Sequence, residues 1–324
     1  MLRNLVGSAS RFLNDLNNSL RTEEEKSSEK SIPISTSPTQ PNSYQQLQRV
    51  LLTDEVNRTL VNEYAAHRQG ERGDEEIGWL LLGVREESEA LVLATLPAGA
   101  GRDAGVAHVS FNSTAQALAA RILRQWDKRL VTLGVLHTHP GNLRHPSSGD
   151  YRGDIRWVPQ LTGKEGVFGI GTADAMENGR TSPLVAYKPD VYRQCVGSLC
   201  FSWYALGDGD EKYRALPVDL TLGPELAQPL RSVWPVLETY ADQLERLCLQ
   251  QKKLHFEVGM EAGQPFLGIN LSLAEEKNRL RLLLKAGEVR YYLLKADDVI
   301  EVDPKELRVD RGVYLILAEL AGLG

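Results

Sequence analysis

The stretch "VLHTHPGNLRHPSSGD", residues 135–150, holds three of the chain's six histidines together with two serines and an aspartate. Side chains alternate faces along a strand, so His137 and His139 share a face with Val131, Leu133 and Val135, while Leu136 and Thr138 point the other way. Pro140 cannot continue a strand ladder, so the chain turns there and leaves two imidazoles side by side at a sheet end. Neutral imidazole is the commonest metal ligand, and two rings one strand step apart can meet one cation. A catalytic zinc takes three protein ligands and keeps a fourth position for water, which calls for a third ligand nearby. Asp150, eleven residues past His139, can supply it if "SSGD" turns into a short helix folding back over the histidines, and Ser147 travels with it. Ser-x-x-Asp is also an ordinary helix-capping box, and both readings stand at this point. Asp154 is the substitute if Asp150 does not serve. His145 as a fourth ligand would displace the water such chemistry needs, and Arg144, Asp154 and Glu75 otherwise read as solvated loop charges. The missing group is a general base, and Glu76, which opens the apolar run "EIGWLLLG", is the candidate; alone, a carboxylate there is only a solvated end residue.

The elements that must position these groups can be read from periodicity. "RVLLT", "EIGWLLLGV", "EALVLATLPAG", "GVFGIGT", "PLVAYK" and "LCFSWYAL" read as strands, and "LVTLGVLHTHP" as a strand with two apolar faces, hence central in a sheet. "DEVNRTLVNEYAAHR" and "VSFNSTAQALAARILRQW" read as helices, the second capped by Asn112 or Ser113. This is a mixed α/β domain over residues 44–208. Before it, residues 1–20 carry an apolar helical stripe (Leu2, Leu5, Val6, Ala9, Phe12, Leu13, Leu16, Leu20), which either docks on this protein or a second copy, or detaches to meet a partner groove or membrane surface. Residues 21–43, rich in Ser, Glu, Lys and Pro and without aromatics, read as a flexible tether. Residues 209–324 read as an α+β interaction domain. It has a helix whose first half Pro229 and Pro235 would break or bend, then a mostly antiparallel sheet from "LHFEVGME", "PFLGINLSL", "NRLRLLLKAG", "VRYYLLKA" and "GVYLILAEL".

Composition bounds the class. With 324 residues, 42% hydrophobic and 25% charged, the chain is a globular protein large enough for two domains. A net charge of −6 gives no reason to expect nucleic acid or an anionic membrane. Three cysteines, Cys195, Cys200 and Cys248, in no metal-like spacing point to buried thiols in a reducing compartment. No run has the ~18 consecutive apolar residues of a membrane span, so the expected location is the cytoplasm.

Glu-x-Gly-x-x-x-x-Gly on an early strand, then His-x-His-Pro and Ser-x-x-Asp in "GVLHTHPGNLRHPSSGD", resembles the JAMM signature of the JAB/MPN zinc metalloproteases, prokaryotic members included, across about residues 46–205. The resemblance implies a mixed β-sheet with flanking helices of the cytidine-deaminase-like kind. It implies one catalytic zinc held by His137, His139 and Asp150, with Glu76 as general base and Ser147 helping to hold the developing oxyanion. Trp79 stands where many relatives have Gly, which implies altered packing under the Glu76 strand. The function implied is an isopeptidase or peptidase that removes a ubiquitin or ubiquitin-like protein from its conjugates or processes its tail, with substrate or partner bound by the C-terminal domain or the N-terminal helix. Hydrolysis of another amide, such as a sulfur-carrier adduct or a peptide, and a non-catalytic zinc-stabilised scaffold are the alternatives.

Overall fold

The computed structural model describes residues 43–98, 113–141, 143–173, 187–273, 278–295 and 298–322. The helix expected at 1–20 and, apart from Ser43, the tether expected at 21–43 lie outside the described residues. The chain divides between Gln228 and Pro229 into two compact units.

In the first unit, strands β1 (Arg49–Thr53), β2 (Gly78–Arg85), β3 (Glu89–Pro97), β4 (Val131–Thr138), β5 (Glu165–Thr172), β6 (Tyr187–Asp190), β7 (Arg193–Val196), β8 (Leu199–Gly207), β9 (Arg214–Ala215) and β10 (Val218–Thr221) form one sheet. Its order is β10-β1-β3-β2-β4-β5-β8-β7-β6, with β9 alongside β8. Every residue of β5 is buried, as a strand central in the sheet and covered on both faces should be. The unit reaches past the boundary expected at residue 208 because β10 returns to pair in parallel with β1. Helix α1 (Asp54–Gln69) starts at Thr53, whose hydroxyl accepts from the Val56 N–H, and it turns Val56, Leu60 and Tyr64 inward. Helix α2 (Thr114–Trp126) has Ser113 as its cap, in a reciprocal capping box with Gln116. Trp79, Leu81, Leu136, Val167, Phe201 and Trp203 share the core. The Trp79 indole fills the space under β2 and donates to Glu63 on α1 at 2.5 Å.

The cysteine expectation is corrected. Cys195 on β7 stands directly opposite Cys200 on β8 and forms a disulfide with it, in which Cys248 takes no part. The tight β7–β8 turn makes cross-strand partners of residues whose spacing alone carries no such signal.

In the second unit, β11 (Leu254–Glu261), β12 (Gln264–Ser272), β13 (Asn278–Lys285), β14 (Glu288–Lys295) and β15 (Asp298–Val302) form a five-stranded antiparallel sheet in sequence order. One face is mostly apolar, as the cross-strand pairs Phe256↔Ile269, Ile269↔Leu282 and Leu282↔Tyr291 illustrate. Helix α4 (Trp234–Gln250) has Pro235 in its first turn, where a missing N–H costs nothing, so this proline starts the helix and does not bend it. The segment "GVYLILAEL", expected as a strand, lies inside helix α5 (Val309–Gly322). Its β-branched and aromatic content mimics a strand, but the buried residues Val309, Val313 and Ile316 recur at helical spacing. Gly312 lets that helix approach the sheet, since a Cβ there would lie 2.5 Å from the Tyr291 hydroxyl. Arg246 on α4 pairs with Asp310 on α5 at 2.9 Å.

Candidate metal centre

The histidines sit where β4 ends. The β2–β4 ladder pairs Gly78 with His137, and it shifts register at Leu81/Leu82 so that Leu133 is left over as a bulge. The alternation expected from Val131 through Val135 is therefore interrupted at Leu133 and resumes from Gly134. Gly134 is required there, because a Cβ would lie 1.7 Å from the carbonyl oxygen of Val167 on β5. Past Gly78 the chain keeps Ile77 beside Thr138, and Glu76, the residue before it, is near enough for its charge to act on His139. Two hydrogen bonds fix Ile77 there: Thr138 N–H donates to the Ile77 carbonyl at 2.8 Å, and Ile77 N–H donates to the Thr138 hydroxyl at 2.9 Å. On the other side, His139 N–H donates to the Gly171 carbonyl of β5 at 2.9 Å. His137, His139 and Glu76 are all buried.

Helix α3 (Ser148–Asp154) carries the carboxylate. Ser147 caps it, its hydroxyl accepting from the N–H groups of Gly149 at 3.1 Å and Asp150 at 3.2 Å, while Ser147 N–H donates to Asp150 Oδ2 at 2.5 Å. The capping box and the fold-back over the histidines are thus both present, and the first aims the second. His137 Nε2 lies 3.0 Å from His139 Nε2; Asp150 Oδ1 lies 3.4 Å from the former and Oδ2 3.4 Å from the latter. A tetrahedral ion with ligands at about 2.0–2.1 Å has ligand–ligand edges of about 3.3 Å, so these separations suit a zinc-sized cation. Among the described residues, these three are the one group of His, Cys, Asp and Glu with ligand atoms close enough to hold a metal ion.

The electrostatics follow from convergence. Burial opposes charge on His139, but hydrogen bonding to Asp150, the Leu143 carbonyl and the nearby charges of Asp150 and Glu76 outweigh it and raise its pKa. Burial likewise works against ionised Asp150, yet hydrogen bonds from His137 and His139 and from Ser147 N–H hold it well below the usual carboxylate range. A carboxylate and two imidazole nitrogens pointing at one another call for a positive charge between them, a proton or a metal.

The remaining residues singled out in the sequence are placed elsewhere. His145 Nδ1 meets the Tyr204 hydroxyl at 2.9 Å, away from the ligand group. Asp154 accepts from the Tyr213 hydroxyl at 2.7 Å and from Trp157 Nε1 at 3.3 Å, and burial first of all pushes its carboxyl up to about 6. Glu75 pairs with Arg72 at 2.5 Å. Sequence reasoning missed the phenols that seat α3: besides Tyr213 on Asp154, the Tyr151 hydroxyl donates to the Asp210 carbonyl at 2.9 Å. It also missed Tyr204, whose hydroxyl donates to the Arg144 carbonyl at 2.8 Å.

Residues 57–182 match the family of prokaryotic homologs of the JAB domain. No curated protein matches the chain. Among solved structures, the solution structure of protein DSY2949 from Desulfitobacterium hafniense is similar at 18% identity, over 54% of this chain and 95% of that one, with a TM-score of 0.36, too loose a likeness to carry an argument.

Proposed function

We propose that this chain is a zinc-dependent amide hydrolase acting on the C-terminal tail or isopeptide bond of a ubiquitin-like protein, a reading supported by the match of residues 57–182 to prokaryotic homologs of the JAB domain. The observation that carries this reading is the convergence of His137 Nε2, His139 Nε2 and Asp150 at 3.0–3.4 Å, with buried Glu76 close enough for its charge to act on His139. Zinc bound at that point would supply Lewis acidity and make hydroxide available near neutral pH, by lowering the pKa of a water to about 7.

The chain's own residues do the rest. His137, His139 and Asp150 would hold the ion. Glu76, as a carboxylate, takes the proton of the attacking water and returns it to the departing amine. The Ser147 hydroxyl accepts two backbone N–H bonds, so its single O–H remains to be given to the developing oxyanion. Neither cysteine of the disulfide can act as a nucleophile, in keeping with direct attack by water. The scaffold alternative differs in its coordination: a structural zinc is closed by four protein ligands. X-ray absorption on the zinc-loaded protein should therefore show two imidazoles, one carboxylate and one water oxygen. Four protein ligands would replace the hydrolase with the scaffold.

A further inference from the structure

A phenol of the sheet is among the groups that hold the loop joining β4 to α3. Tyr204 on β8 is 4% exposed. Its hydroxyl donates to the Arg144 carbonyl at 2.8 Å and so accepts from His145, whose Nδ1 lies 2.9 Å away and carries the proton. One residue earlier, the Leu143 carbonyl accepts from His139 Nδ1–H at 2.9 Å. A carbonyl cannot donate, so this bond fixes His139 as the Nδ1–H tautomer and aims the Nε2 lone pair at His137 and Asp150. The Leu143 side chain is 51% exposed and so contributes little packing to fix the segment. The two residues that follow both reach Tyr204, through the Arg144 carbonyl and the His145 ring. The phenol ring is packed independently of its hydroxyl, against Tyr192 at 5.8 Å and Tyr213 at 6.3 Å between centroids.

We propose that Tyr204 is a positioning residue for the metal centre: its hydroxyl, through Arg144 and His145, sets the Leu143 carbonyl that orients the His139 ring and selects its tautomer. The inference rests on reading His139 as a metal ligand. Burial pushes the phenol up to about 12, which keeps it a donor across the working range. The link is hidden in the sequence because "FSWYAL" reads as core strand, and the carbonyl that Tyr204 holds lies 60 residues away.

The test is Tyr204→Phe, which removes the oxygen and keeps the ring. Zinc affinity, measured by competition with a chelator, should fall roughly 10–100-fold, as for other groups that orient a ligand from behind. At saturating zinc, kcat should fall with KM unmoved. Tyr192→Phe, which alters the neighbouring ring and not the link, should change neither. Nitrogen-15 NMR of the metal-free protein, at a pH where the imidazole is neutral, should show His139 as Nδ1–H in the wild type and a tautomer mixture in Tyr204→Phe. This last readout needs neither metal nor substrate. A chain that binds no zinc and cleaves nothing would therefore end the hydrolase reading while the positioning claim is still decided. His145→Ala cuts the other half of the link at an exposed loop position and should move the same readouts in the same direction. Wild-type tautomer and wild-type zinc affinity in both variants would overturn the proposal.

Discussion

Replacing Thr138 by valine keeps the shape of a buried side chain and deletes one oxygen. That oxygen accepts from Ile77 N–H at 2.9 Å, and Thr138 is 2% exposed, so no water can take its place. A buried N–H left without a partner costs about 1–3 kcal/mol. No cavity term adds to this, because valine fills the same volume. In a domain of this size each kcal/mol moves the melting temperature by about 2–4 °C, so the first unit should melt roughly 2–12 °C lower. The same bond holds the residue after Glu76 against β4, so its loss should loosen the base more than the ligands. A displacement of about 1 Å at a reacting group costs on the order of 10²-fold in rate, whereas zinc affinity should stay within a few-fold of wild type. Thermal melts, chelator competition and turnover on one preparation separate these effects, and Thr138→Ser should restore turnover by returning the oxygen. A lower melting temperature with unchanged kcat would refute the claim that this bond places Glu76.

Two further perturbations separate readings that the geometry holds together. Ser147→Ala should cost about 1 kcal/mol through loss of the cap, but kcat should fall about 10²–10³-fold if the hydroxyl also serves the oxyanion; a drop in stability with kcat intact would leave Ser147 as a cap alone. Asp154 has its carboxyl pushed up to about 6 by burial. A folded value above the unfolded one gives stability that is fully present below a pH of about 3.9 and lost as pH rises through about 6. Chemical denaturation of the metal-free protein should show that decline in the wild type and not in Asp154→Asn; superimposable profiles would contradict the assignment.

The parts of the site legible in the sequence are those whose spacing is local. Two histidines one strand step apart, and a serine and an aspartate three apart at a helix start, can be placed by strand and helix periods alone. Glu76 was a candidate from its place at the start of "EIGWLLLG" and gained its weight from the family resemblance, while the pairing of that strand with "LVTLGVLHT" brings the two segments together. What was not legible depends on distant pairing. β10 returns to β1 across the whole unit, and that moves the domain boundary to Gln228. Tyr204 was legible only as part of the strand "LCFSWYAL" and Tyr213 not at all, because nothing in one sequence says which carbonyl or carboxylate a phenol will reach. In the second unit, β-branched and aromatic residues in "GVYLILAEL" favoured a strand until the sheet's apolar face drew them into a helix.

The central claim is that Glu76 works as a base beside a metal held by His137, His139 and Asp150. It is met most directly by turnover of a ubiquitin-like conjugate with zinc-loaded wild type and zinc-loaded Glu76→Gln, each with its metal content measured. The account predicts equal zinc in both and cleavage by the wild type that falls by at least about 10²-fold in the variant. Equal zinc with equal cleavage would contradict it.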